Sequence, residues 1–327
     1  MLKLTLKYIS LFALVWAFAA SSLGCRKDVV EFNPYPNTLS ELSLFLKQVP
    51  DPATATTFEF NGLNEDKILT TASGARIFLT DVDHLFSSAA SPAVAVAAST
   101  CTELKIVVTI VKSKGDILSR ELPTTTPDDI LLESGGMVRV QAFCGTTELQ
   151  LLTGSTIKIQ LPANDAEEDM FVHILGTSNQ GFSGWKPTSQ QVFKADWPSS
   201  NGPGVVKGYE LIISQLGWSN CAKPLSQSDV TPFCVSLQPS YTGLNTQAYL
   251  VFDNVLAVAP LKFDDTSHSF CFPSIPAGYP VHVVTVTKLA ADYWLGKTTT
   301  ETGTNSMLPV QPQQQEASEI LGYLRGL

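Results

Sequence analysis

Charge is scarce in this chain: Asp, Glu, Lys and Arg make up only 16% of 327 residues, and acids outnumber bases 30 to 21. The basic footprint of a nucleic-acid binder is therefore absent. So are the Lys/Arg clusters that dock proteins on anionic lipid. Histidine is limited to His84, His173, His268 and His282. There is no CxxC or His-x-x-x-His spacing, so a structural zinc site is not expected. Ser219, in Gly217-Trp218-Ser219-Asn220, lacks the second glycine of a nucleophile elbow. Asp81, Asp83 and His84 form one acid/His group, and Asp264, Asp265 and His268 form another. Neither has the loop pattern of an EF-hand, so both read as solvated turns. The expectation is a chain with no metal, no cofactor and no catalytic site.

The N-terminus is the most informative segment. Lys3 and Lys7 precede an almost wholly apolar stretch, Tyr8 to Ala20, which ends in Ser21, Ser22, Leu23, Gly24 and Cys25. This is the order of a secretory signal, and it is short of the roughly 20 apolar residues that span a bilayer. Leu23-Gly24-Cys25 resembles a lipobox, with Ser22 where that pattern usually has Leu. The resemblance implies cleavage after Gly24 and acylation of Cys25. The acyl chains would then supply membrane anchoring without a spanning helix. Arg26-Lys27-Asp28 resembles the signal that sends some Bacteroidota lipoproteins to the outer face of the outer membrane. The expected location is the outer membrane, with the cell surface preferred to the periplasmic face. Loss of residues 1–24 removes two bases and no acid, leaving 19 bases against 30 acids, a net charge of −11.

Export places the remaining cysteines, Cys101, Cys144, Cys221, Cys234 and Cys271, where disulfides persist. Five is odd, so at least one thiol is free or pairs between chains. Spacing makes Cys221–Cys234 the first expectation and Cys101–Cys144 the second, with buried free thiols as the alternative.

Along the body, Thr38-Leu39-Ser40-Glu41 has a capping-box pattern ahead of a helix over about 39–48, stopped by Pro50. Strand signals then dominate. Leu104 to Val111 is a dense β-branched run, and Met137–Phe143 and Thr156–Leu161 alternate between apolar and polar. Short strands punctuated by Gly, Pro and Asn point to sandwiches. The expected fold is all-β: two antiparallel β-sandwich-like domains with short N- and C-terminal helices. Residues 25–52 read as tether and short helix, and 53–178 as the first sandwich. An aromatic, Gly- and Pro-rich linker follows over 179–207, then the second sandwich over 208–300. Residues 301–327 read as a polar linker and C-terminal helix. Trp185, Trp197, Phe182 and Phe193 fall in the expected linker, with Trp218 just after it. Exposed, they would make a stacking surface for protein or glycan; buried, they would plug the junction between domains.

Several landmarks are similar to a group of uncharacterised Bacteroidota lipoproteins with a ZU5-like β region. They are TTFEFNG with ILTTASGARIFLTDVDHLF (56–86), SRELPTTTPDDILLESGGMVRVQAF (119–143) and ISQLGWSNCAKPL (213–225). FPSIPAGYPVHVVTV (272–286) resembles a turn and strand of transthyretin-like and carboxypeptidase-regulatory-like modules. The resemblance implies a β fold and an envelope location, but no activity. The functional expectation is a lipid-anchored, non-catalytic module that binds a protein or glycan. The rivals are a hydrolase whose site assembles from distant residues, and a structural spacer.

Overall fold

The alternation that marks Thr156–Leu161 as a strand also fixes its two faces. Ile157, Ile159 and Leu161 enter a core, while Lys158 and Gln160 point away from it. The computed structural model describes residues 37–50, 55–178, 181–199, 202–225, 229–304 and 307–327. The signal segment, Cys25 and the tether lie outside the described residues.

Strands are numbered along the chain, and three sheets hold them. The first has nine: β1 (Ala55–Phe60), β4 (Phe86–Ser88), β5 (Ser91–Val96), β6 (Leu104–Val111), β7 (Leu132–Cys144), β8 (Thr147–Leu151), β10 (Phe171–Ser178), β11 (Gly181–Gln191) and β14 (Gly217–Pro224). The second has five: β2 (Lys67–Thr70), β3 (Arg76–Leu79), β9 (Ile157–Pro162), β12 (Phe193–Pro198) and β13 (Val205–Ile213). The third has eight: β15 (Val230–Ser236), β16 (Thr246–Phe252), β17 (Val258–Asp264), β18 (Ser269–Pro276), β19 (Pro280–Leu289), β20 (Asp292–Glu301), β21 (Met307–Pro309) and β22 (Gln313–Gln315). Neighbouring strands are antiparallel except β15 and β21, which run parallel. Three short α-helices complete the fold: α1 (Leu39–Leu46), α2 (Lys114–Ser119) and α3 (Ala317–Arg325). The fold is all-β, as the alternating runs imply.

The first and second sheets close on one core. Ile77, Ile159, Leu161, Tyr209 and Leu211 meet Ile106, Val108, Val138, Val140 and Cys221 there. The third sheet wraps its own core of Phe233, Leu250, Phe252, Phe270 and Phe272. Between these lies a junction core. Helix residues Leu42, Phe45, Leu46, Ile117, Ile320 and Leu324 pack there with Met137, Trp185 and Ala222, against Tyr249, Val251, Val284 and Val286. Strands β16 and β19 thus bury both faces, and residues 37–327 form one compact unit.

Three boundaries differ from expectation. Residues 181–191 and 193–198 are strand, and β14 inserts between β10 and β7. Residues 208–224 therefore belong to the first sandwich, and the third sheet starts only at Val230. The Gly/Pro cluster marks the β12–β13 hairpin, where Gly202 and Gly204 take positive φ and the N–H of Ser199 donates to the carbonyl of Gly204. The expected C-terminal linker is likewise occupied: β20 runs to Glu301 and β22 pairs with Tyr293–Leu295.

Helix α2 was not expected. Ser113 accepts the N–H of Asp116 at 3.1 Å, an N-cap bond, and Gly115 is needed because a Cβ there would meet the carbonyl oxygen of Leu324 at 1.9 Å. Helix α1 forms as expected, but not through a capping box. Thr38 Oγ1 donates instead to the carbonyl of Lys288 at 2.7 Å, and Glu41 pairs with Lys288 at 2.8 Å.

Candidate binding face on the five-stranded sheet

Because β2, β3, β9, β12 and β13 turn one face to the first core, their alternate residues form the opposite face. Register lines these into rows. One row reads Ile68, Phe78, Lys158, Ile212; the next reads Thr70, Arg76, Gln160, Glu210, Phe193. A polar chain crosses the second row. Arg76 Nη1 donates to Gln160 Oε1 at 3.3 Å, Gln160 Nε2 donates to Glu210 Oε2 at 2.9 Å, and Lys158 Nζ lies 3.6 Å from the same carboxylate oxygen. Arg76 and Lys158 both stand over the Phe78 ring, at 5.2 and 4.3 Å from its centroid. Around them Ile68, Ile212 and Phe193 are 46%, 41% and 58% exposed. An outward sheet face is ordinarily polar and solvated; this one mixes exposed apolar side chains with a pre-ordered polar row.

Sequence reasoning leaves the tryptophans two readings, an exposed stacking surface or a plug between domains, and the structure has them buried or half-buried. Trp185 is fully buried in the junction core, its Nε1 donating to the carbonyl of Pro123 at 3.0 Å. Trp197 is 3% exposed, lying across Gly208, with Nε1 donating to the carbonyl of Gly74 at 3.4 Å. Trp218 is half-buried against the junction core, with Arg139 at 5.9 Å from its ring. Trp185 and Trp197 find apolar cover and a backbone acceptor, so neither offers an open face. The side chain of Phe182 lies outside those described. The signal that could have found this candidate face is the pair of polar positions, Lys158 and Gln160, alternating with the apolar residues of their strand.

Comparison with family models, with curated proteins and with solved structures finds no match. The site must be read from its own chemistry.

The cysteines divide differently from the first expectation. Cys101–Cys144 is a disulfide with Cα atoms 5.7 Å apart, and Cys234 pairs with Cys271 at 4.1 Å. Cys221 is a free thiol in the first core. Its strand lies in the first sheet and Cys234 in the third, so closeness in sequence brings no closeness in space. Burial pushes the Cys221 thiol well above its ordinary pKa, which keeps it protonated and unreactive.

The histidines do not converge. His84 Nδ1 donates to Asp81 Oδ1 at 2.9 Å on the surface, and that contact raises its pKa. His173 is buried within its strand, with its pKa lowered by desolvation. His282 contacts Asp253 at 3.0 Å, and His268 lies 3.3 Å from the carbonyl of Pro239. The two acid groups are turn-formers: Asp83 accepts the N–H of Ser99, and Asp264 accepts from Thr266 and Ser267. Among the described residues no His/Cys/Asp/Glu group could hold a metal ion.

A cleft of about 580 Å³ opens where Glu133, Ser134, Glu167 and Tyr209 meet Asn254 and Leu256. Several of its polar groups are already engaged. Lys223 sits 3.6 Å from Glu133 and 3.5 Å from Glu167, Ser134 Oγ donates to Asn220 Oδ1 at 2.6 Å, and the Tyr209 hydroxyl accepts the N–H of Glu167 at 2.7 Å. Burial pushes the Tyr209 phenol up to about 12. No histidine is in the lining, so no base of that kind stands beside Ser134.

Proposed function

We propose that this chain is a lipid-anchored envelope module that engages a protein or glycan through the outer face of its five-stranded sheet, without catalysing a reaction. The observation that carries the reading is the exposure of Ile68, Ile212 and Phe193 around the ordered Arg76–Gln160–Glu210 row. Arg and aromatic side chains, with apolar neighbours, are the groups that concentrate binding energy at interfaces. Two disulfides suit an oxidising compartment. The Tyr8–Ala20 stretch and Leu23-Gly24-Cys25 support export and acylation.

Two experiments test the two halves. Cys25→Ser is expected to abolish fatty-acid labelling and to release a soluble or signal-retaining form. A mutant that still labels with palmitate and stays in membranes would remove the anchor from the reading. For the face, Ile212→Asp combined with Phe193→Asp should leave the melting temperature nearly unchanged, because exposed positions tolerate substitution within about 0.5 kcal/mol. Crosslinking on intact cells should then lose the species captured by the wild type. Unchanged capture would place the contact on another surface.

A further inference from the structure

At one end of this face lies a pocket of about 340 Å³, bounded by Thr70, Ser73, Arg76, Trp197, Pro198 and Val206. That volume is at the small end of the range for ligand sites, about 300–1,000 Å³. Arg76 is the only charged residue in its lining, in a chain that carries a net −9. The guanidinium is already oriented: Nη1 is held by Gln160 and the group stands over Phe78. Glu210, the nearest acid along the row, is engaged by Gln160 and Lys158 and not by Arg76. The other N–H groups of Arg76 have no acceptor among the described residues.

We propose that this pocket binds the carboxylate of an acidic sugar, with Arg76 as the group that grips it. The proposal rests on the binding-module reading and names the ligand class for it. A planar guanidinium with free donors matches a carboxylate through two parallel hydrogen bonds, the geometry in which Arg exceeds Lys. The rest of the lining suits a sugar ring. Thr70 and Ser73 offer hydroxyls, and the adjoining Glu210 and Lys158 place an acceptor and a donor beside the pocket for ring hydroxyls. Pro198 and Val206, backed by the nearly buried Trp197, give the apolar wall that the C–H side of a ring requires.

The test is binding of the full chain, purified in detergent, to an array that pairs glucuronate-, galacturonate- and sialate-containing oligosaccharides with their carboxyl-reduced or methyl-esterified counterparts. Acidic members should bind, their neutral counterparts at least tenfold more weakly. Arg76→Gln should abolish the difference, and Arg76→Lys should recover only part of it. Thermal melts of both variants check that the sheet is intact, and the ligand-side change serves as a control that needs no mutation. Binding of neutral glycans with no dependence on Arg76 would overturn the acidic-sugar site while leaving the binding module standing. Arg76-dependent binding of a peptide C-terminal carboxylate, with no acidic sugar bound, would also overturn it in favour of a protein partner. If no array member binds, the proposal fails, and the crosslinking experiment above then decides separately whether the face binds anything.

Discussion

Trp185→Ala is expected to destabilise the protein by about 3–5 kcal/mol, the cost of truncating a large buried aromatic. Trp185 has no exposed surface and sits in the junction core with Met137, Ala222 and the helix residues Leu42 and Leu118. Removing the indole leaves a cavity between the first sandwich and the third sheet. It also removes one of the two donors to the carbonyl of Pro123, which keeps the N–H of Thr125 at 2.9 Å. Gly184 makes local collapse difficult. It has φ +90° and its backbone already approaches Thr126 and Pro127, so closely that a Cβ would lie 2.4 Å from the Pro127 nitrogen. Denaturant unfolding of wild type and mutant provides the measurement, with Phe193→Ala, an exposed position, as the near-neutral control. A loss below about 1 kcal/mol would show that the junction core contributes little to joining the sheets.

Replacing Cys234 and Cys271 together by Ser should cost about 4 kcal/mol in the chain-entropy model, for a bond that closes 37 residues. The two residues are directly opposite in the β15–β18 pair, and their bond ties an edge region of the third sheet to its centre. The corresponding change at Cys101 and Cys144, separated by 43 residues, should have a similar effect on the first sandwich. Urea titrations of the two double mutants measure both. Peptide mapping of wild-type protein alkylated after non-reducing denaturation should label Cys221 and none of the other four. Recovery of a Cys221–Cys234 peptide would refute the pairing on which the expected losses depend.

Alternation in Thr156–Leu161 and Met137–Phe143 was enough to identify strands and to say which side chains share a face. It did not say which strand lies beside which. The register that brings Arg76, Gln160 and Glu210 into one row joins positions 84 and 50 residues apart. No local pattern carries that information. The same limit explains the tryptophans. Residue type marks Trp185 and Trp197 as large and amphipathic, but whether they face solvent depends on strands that arrive from elsewhere in the chain. Gly and Pro after Trp197 were legible as a turn, yet a turn between paired strands and a turn between domains look alike in sequence.

The sequence by itself determined that this is an acidic, cysteine-containing β protein, because composition and alternation are local properties. Only the tertiary structure decided the cysteine partners, the junction core and the side-chain rows on the outer face of the five-stranded sheet. Cys221 and Cys234 are 13 positions apart but in different sheets, while Cys234 meets Cys271 because two strands pair antiparallel at that register. Contacts of this kind are set by packing and register between distant segments, which hydrophobic periodicity constrains to a face but not to a neighbour.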